Sequence, residues 1–276
     1  MSVSYRMNAV KVTAKRELKS TLYGIGLYVV LTIIFLITSY ASIRVSIMNV
    51  VNNGIEAIQN PISWPFLVTV FLASTYLGLC SAISISRERE QGTMEVLFYG
   101  PVDSFSYVIG KYLQQILTFG VVLGFSIIYF FLISQITNFG FTAQFLGLLF
   151  LSVFLASSMV AFGIFLSTLA KKTIVGVVSF LALVLFFLIF WAAHSVIMGI
   201  SGTNMSTALI YTRLVLDNIN LVIQWISPIA YFVRGMVAVS VGSLGQYLLS
   251  IISSAIYSAI LIALAIITFE RRGAKR

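Results

Sequence analysis

Residues 141–200 read FTAQFLGLLFLSVFLASSMVAFGIFLSTLAKKTIVGVVSFLALVLFFLIFWAAHSVIMGI, two long apolar runs separated only by Lys171-Lys172. Each run exceeds the ~20 apolar residues that an α-helix needs to cross a hydrocarbon core about 30 Å thick. Inside lipid, backbone amides and carbonyls must find partners within the protein, so a spanning run of this kind folds as a helix. The sequence therefore predicts two spanning helices that meet at a lysine pair lying at a headgroup surface.

Four more runs extend the pattern, at about 22–43, 62–85, 112–136 and 247–269, which makes six spans. The third and fourth meet at Thr137-Asn138-Phe139-Gly140, read as a tight polar turn. Hydrophobic residues make up 59% of the chain and charged ones 9%, with a mean hydropathy of +1.03. A soluble domain holds roughly 25% charged and about 45–50% apolar residues, because a folded sphere must keep a polar shell in water. The expectation is an all-α membrane protein, a single transmembrane domain over 1–276 with six transmembrane helices. A net charge of +9 does not point to nucleic acid, since the basic residues gather at the ends of the apolar runs, where a lipid surface meets them. Cys80 is the only cysteine, which excludes an intrachain disulfide.

The basic residues set the orientation. Arg6, Lys11, Lys15, Arg16 and Lys19 precede the first span; Arg87, Arg89 and Lys111 flank the second connection; Lys171 and Lys172 form the fourth; Arg271, Arg272, Lys275 and Arg276 follow the last span. These are 14 of the 17 Lys and Arg, and only Arg44, Arg213 and Arg234 fall on the other side. The positive-inside rule makes the crowded side cytoplasmic and puts both termini there. The first span is read as uncleaved, because its apolar run is about twice a signal-peptide core.

Residues 204–245 test the span count. Their apolar pieces, 221–226, 229–233 and 236–241, are each too short to cross, and a seventh crossing would turn the basic tail outward. The segment is expected to form extracellular re-entrant helices, an irregular stretch at membrane depth tolerated where protein or water surrounds it. Arg234 could pair with Asp217 there, or both could face solvent. Gly120 and Gly124 have the spacing that lets membrane helices approach closely; packing within the chain is the first expectation and dimerisation the second.

Several chemistries have no residues to carry them. No Asp, Glu, Lys or Arg lies near the middle of a span, where an ion-coupled carrier needs a group to bind its ion. His194 lies near the outer end of the fifth span, and a lone histidine there reads as a structural hydrogen-bonder. Gly110-Lys111 resembles the end of a phosphate-binding loop, but Tyr112 stands where a Ser or Thr must hold magnesium and Phe105 replaces the leading glycine. The chain has a conduit and no motor.

Residues 86–101 read SREREQGTMEVLFYGP. Their charged run continues the second helix out of the membrane, with Gly92 as its stop. Thr93 caps a new short helix that has Glu95 in its first turn. Val96, Leu97 and Phe98 give that helix an apolar side, Gly100-Pro101 ends it, and Asp103 or Ser104 caps the entry to the third span. An ordinary solvated loop is the plainer alternative. At the N-terminus, Met7, Val10, Ala14 and Leu18 form one helical stripe beside a ridge of Lys11, Lys15 and Lys19, the pattern of a helix lying in the headgroup layer.

The run Arg87-Glu88-Arg89-Glu90, then Gly92-Thr93-Met94-Glu95, resembles the type-2 ABC exporter permeases, with Met94 where leucine is more frequent. The resemblance implies a cytoplasmic coupling helix within 87–103 that docks on an ABC ATPase subunit. It implies ATPase-coupling roles for Glu88, Arg89, Glu90, Gly92, Thr93 and Glu95, and an interfacial helix over about 1–20 carrying Lys11, Lys15 and Lys19. The segment 201–245 would form an outer gate around Pro228, Arg234 and Gly235. The stretch 226–235 with the closing Glu270-Arg271-Arg272 is similar to the branch of gliding-motility and copper-enzyme-maturation permeases. ATP and Mg would be bound by the partner ATPase, with no cofactor in this chain, and a second permease copy or homologue would complete a dimer. The setting implied is the plasma membrane of a prokaryote. The mostly apolar interior suits a hydrophobic or amphipathic cargo. A membrane scaffold or signalling subunit of an ATPase complex, and a secondary carrier, are the alternatives.

Overall fold

A computed structural model describes residues 3–53, 62–93, 103–137, 143–200 and 207–273, and the regular elements among them are all helices. They are α1 (Val3–Tyr23), α2 (Ile25–Asn53), α3 (Ser63–Glu90), α4 (Ser104–Thr137), α5 (Ala143–Leu169), α6 (Thr173–Gly199), α7 (Thr207–Ile226), α8 (Pro228–Val241) and α9 (Leu244–Gly273). Among the described residues five helices, α3, α4, α5, α6 and α9, are long and apolar enough to cross a membrane. Two bent pairs add to them: α1 and α2 meet at 62°, α7 and α8 at 98°. The first bend falls at Gly24, between a polar helix and an apolar one. The second falls at Ser227-Pro228, where proline opens α8 because its missing N–H costs nothing at a helix start.

At the centre α3 lies against α5. A Cβ on Gly163 would lie 2.2 Å from the Gly78 carbonyl oxygen and 2.9 Å from Ser81 Cβ, so the two backbones touch there. α6 approaches α3 beside α5 in the same way, with Gly176 against the Ala82 carbonyl and the Phe180 ring over Gly78. Lipid tails are as apolar as leucine, so helices in a bilayer associate through close packing and interhelical hydrogen bonds. Thr38 of α2 and Thr69 of α3 supply one such bond at 3.0 Å between buried hydroxyls. The rings of Phe66, Phe130 and Phe145 fill the space where α3, α4 and α5 meet. Outward, Leu185 and Ile189 of α6 and Ile252, Ile256 and Ile260 of α9 are exposed, an apolar girdle that water would not tolerate and lipid does.

Two expectations change. Gly120 and Gly124 meet no neighbouring atom within 4 Å of a built Cβ, so this motif makes no close contact within the chain. Spacing alone does not select a partner; the close approach goes instead to Gly78 and Gly163. The N-terminal stripe also faces protein. Val10 and Ala14 are buried, and Thr13 lies 3.1 Å from a Cβ built on Gly110 of α4, while Met7 is exposed. Of the turn expected at 137–140, Thr137 ends α4 and residues 138–140 lie outside the described residues.

Candidate functional site at the charged end of α3

α3 runs past its apolar part, which ends at Ile85, through Ser86-Arg87-Glu88-Arg89-Glu90. It then stops as expected: Gly92 adopts φ +69°, a left-handed conformation that favours glycine, and its amide donates to the Arg89 carbonyl at 3.3 Å. Thr93 is exposed and its hydroxyl donates back to the Glu88 carbonyl at 3.2 Å. Thr93 thus bonds back to the end of α3. The helix it was expected to cap, with Glu95 and the expected coupling segment, lies outside the described residues.

Three consecutive side chains of this terminus reach three different helices. Glu88 turns inward to α4, accepting from Lys111 Nζ at 2.6 Å and from the Tyr107 hydroxyl at 2.5 Å. Arg89 Nη1 donates to the carbonyls of Thr168 at 3.2 Å and Ala170 at 2.9 Å. These belong to the C-terminal end of α5, where carbonyls lack helical partners and a cation is favoured. Glu90 Oε2 accepts the Thr173 amide at 2.9 Å, the first N–H of α6, where a carboxylate is favoured. Thr173's side-chain and backbone hydrogen bonds hold the Glu90 carboxyl below the usual carboxylate range, with Lys172 contributing in the same direction.

The adjoining start of α4 is pinned to α1. Asp103 caps α4 by accepting the Ser106 amide at 3.2 Å, and it pairs with Arg6 at 3.0 Å. Burial pushes the Asp103 carboxyl up, but the Ser106 hydrogen bonds and the Arg6 charge outweigh it and the net shift is downward. Gln114 of α4 donates to the Thr21 hydroxyl of α1 at 3.0 Å. Lys11, Lys15 and Lys19 are exposed along α1 and are not drawn into this cluster.

The expected contact residues thus divide. Glu88, Arg89 and Glu90 join helices of the same chain, while Thr93 presents itself outward. Sequence reasoning missed Tyr107, the partner role of Lys111, and the termini around Ala170 and Thr173. One signal was present: Lys111, Gln114, Gln115 and Thr118 fall at helical spacing on one face, and all four are buried.

At the opposite end, the elbow between α7 and α8 gathers the other singled-out residues. Pro228 is buried at the bend, and Gly235 lets α8 lie against Leu151 of α5, whose methyls would be 2.7 Å from a Cβ. Arg234 does not pair with Asp217. Its guanidinium lies over the rings of Trp225 and Tyr231, 5.3 and 5.9 Å from their centroids, and donates to Gln224 Oε1 at 3.2 Å. Aromatic faces satisfy an arginine that is only partly hydrated. Asp217 instead faces His194 Nε2 of α6 at 3.0 Å, which gives the histidine a hydrogen-bond partner. Arg213 wraps the C-terminus of α6 through the carbonyls of Ile197, Met198 and Ile200. Gly242, with φ +73°, ends α8 and returns the chain into α9.

Residues 25–274 match a family model described as ABC-2 family transporter protein. No curated protein matches the chain.

Proposed function

Since this chain belongs to the ABC-2 family of transporter proteins, we propose that it is the permease subunit of an ATP-driven exporter, coupled to a separate cytoplasmic ATPase. Members of the family are membrane transport subunits that generally partner an ATPase and form dimers. In this reading the chain is one transmembrane domain of six spans, the first running through α2 and the last being α9. Both termini and the charged end of α3 face the cytoplasm of a prokaryotic cell. ATP and magnesium reside in the ATPase, and a second permease, identical or homologous, lies alongside. The cargo is hydrophobic or amphipathic.

The observation that supports coupling most is the fan of Glu88, Arg89 and Glu90 from one helix end to α4, α5 and α6. A push on the segment that follows Gly92 is delivered to α3 and, through these bonds, to three neighbouring helices together. Glu95 and Thr93 face the ATPase; Gly92 sets the angle between α3 and the coupling segment. Movement at this end is answered at the elbow of Pro228, Arg234 and Gly235, which acts as the outer gate. Lys11, Lys15 and Lys19 hold α1 at the anionic headgroups. The test is purification of the full chain from its native host, with vesicle assays of ATP-dependent cargo movement. Recovery of an ATPase and transport that fails without ATP support the reading. No ATPase in the complex, with Glu90→Ala leaving function intact, overturns it.

A further inference from the structure

α9 carries alanines at 255, 259 and 263, one per turn on a single face, and all three are exposed. Opposite them, Phe105, Ile109 and Ile116 of α4 form a second wall, and the gap between is a groove of about 560 Å³ floored by α5. This volume falls within the roughly 300–1,000 Å³ of small-molecule sites. The groove exists because alanine leaves unfilled the space that a larger residue would take.

Its polar atoms are already used. The Tyr112 hydroxyl is 2.7 Å from Ser157 Oγ, which donates to Ser258 Oγ at 3.0 Å, which donates to the Ser254 carbonyl at 2.9 Å. With the tyrosine donating first, every hydroxyl hydrogen in the chain is spent on protein, so an occupant finds hydrocarbon walls.

Position says which hydrocarbon. Phe105 is the second residue of α4, and Ile266 lies shortly before the charged Glu270-Arg271 of α9. From Phe105 to Ile116, and from Ala255 to Ile266, the walls rise about 17 Å at 1.5 Å per residue, roughly half a hydrocarbon core of about 30 Å. The groove therefore runs from the headgroup level, where α1 packs on α4 at Gly110, into the hydrocarbon of one leaflet, on the side of Glu88 and Lys111. Both walls continue into exposed apolar surface, Leu113 and Leu117 on α4 and Ile256, Ile260 and Ile267 on α9, so the groove opens onto the lipid-facing girdle.

We propose that this groove holds an acyl chain of a phospholipid from that leaflet, as a bound lipid site between α4, α5 and α9. The inference needs only the membrane-spanning reading, and neither outcome of its test bears on ATPase coupling.

The test uses the full chain in phosphatidylcholine vesicles that include a phosphatidylcholine with a photoreactive diazirine midway along one acyl chain. After illumination, adducts are mapped by peptide mass spectrometry. The expected result is at least fivefold denser labelling on the groove faces of 105–116 and 255–266 than around the exposed Leu185 and Ile189 of α6. Ala259→Phe and Ala255→Phe, which fill the groove, should each cut groove labelling at least fivefold and leave α6 labelling unchanged. Even labelling of all exposed faces in the unaltered protein overturns the proposal, whether or not the variants fold. So does groove labelling that both fillings leave intact, or a groove covered by a second copy, seen as an Ala259→Cys disulfide dimer without lipid adducts.

Discussion

Lys111 Nζ lies 2.6 Å from Glu88 Oε1, with 6% of the lysine side chain exposed against 21% of the glutamate's. Removing one partner of a buried pair costs about 3–5 kcal/mol, because the other charge stays withdrawn from water. Glu88 keeps some solvent contact, so Lys111→Met should cost about 3 kcal/mol, the lower end of that range. Glu88→Gln combined with Lys111→Met should recover most of the loss. Thermal unfolding of the four purified proteins checks this, and a double variant as unstable as the sum of the singles would count against the pair.

Glu90 carries a pH prediction. Its carboxyl is held below the ordinary value of 4.5 in the folded protein, chiefly by the hydrogen bonds from Thr173. A depressed acid stabilises the fold above its unfolded pKa and loses that contribution as pH falls through the folded one. Glu90→Gln should therefore lower the unfolding temperature at pH 7, with a gap that narrows below about pH 4.5. A gap constant from pH 7 to pH 3.5 would show that the charge is not what matters.

Gly163 and Gly120 should respond oppositely to the same change. The methyl of Gly163→Ala would lie 2.2 Å from the Gly78 carbonyl oxygen. Backbone on both sides cannot yield cheaply, and overpacking of this kind costs roughly 1–3 kcal/mol or more. Gly120→Ala meets nothing within 4 Å and should be neutral or gain about 0.5–1 kcal/mol from the stiffer helix. Melting curves of the monomeric chain decide. If Gly120→Ala leaves the monomer intact but weakens self-association, that glycine contacts a second copy.

The outer layer offers a coupling test. Arg234 rests on Trp225, Tyr231 and Gln224, whereas Asp217 rests on His194. With no shared partner, Arg234→Ala and Asp217→Ala should add within about 0.3–0.5 kcal/mol, while His194→Ala and Asp217→Ala should fall short of additivity by more than about 0.5 kcal/mol. Equilibrium unfolding of the two double-mutant cycles measures both.

Local chemistry was legible in the sequence, and long-range destinations were not. Gly92 as a stop and Asp103 as a cap depend on neighbours within a turn or two, so residue type and position sufficed. The break at Pro228 followed from apolar pieces too short to cross. The destinations of Arg89 and Glu90 lie some eighty residues away, at Ala170 and Thr173, and no local pattern encodes which helix ends a charged side chain will meet. The sign of Lys111 speaks only to orientation, whereas the polar stripe continuing through Gln114, Gln115 and Thr118 marks an inward face. The helix contact at Gly78 and Gly163 runs along small residues four apart, Ser74, Gly78, Ala82 and Ser86 on α3, a weaker signal than the Gly120 and Gly124 spacing, which faces away.

Coupling through the end of α3 is tested most directly by ATP hydrolysis of the permease reconstituted with the ATPase that co-purifies with it. Arg89→Ala and Glu90→Ala together should leave the ATPase bound yet reduce permease-dependent hydrolysis about tenfold or more, equivalent to roughly 1.4 kcal/mol at the barrier. Full hydrolysis and full transport from that double variant, in a complex of unchanged composition, would contradict the claim that this helix end carries the motion.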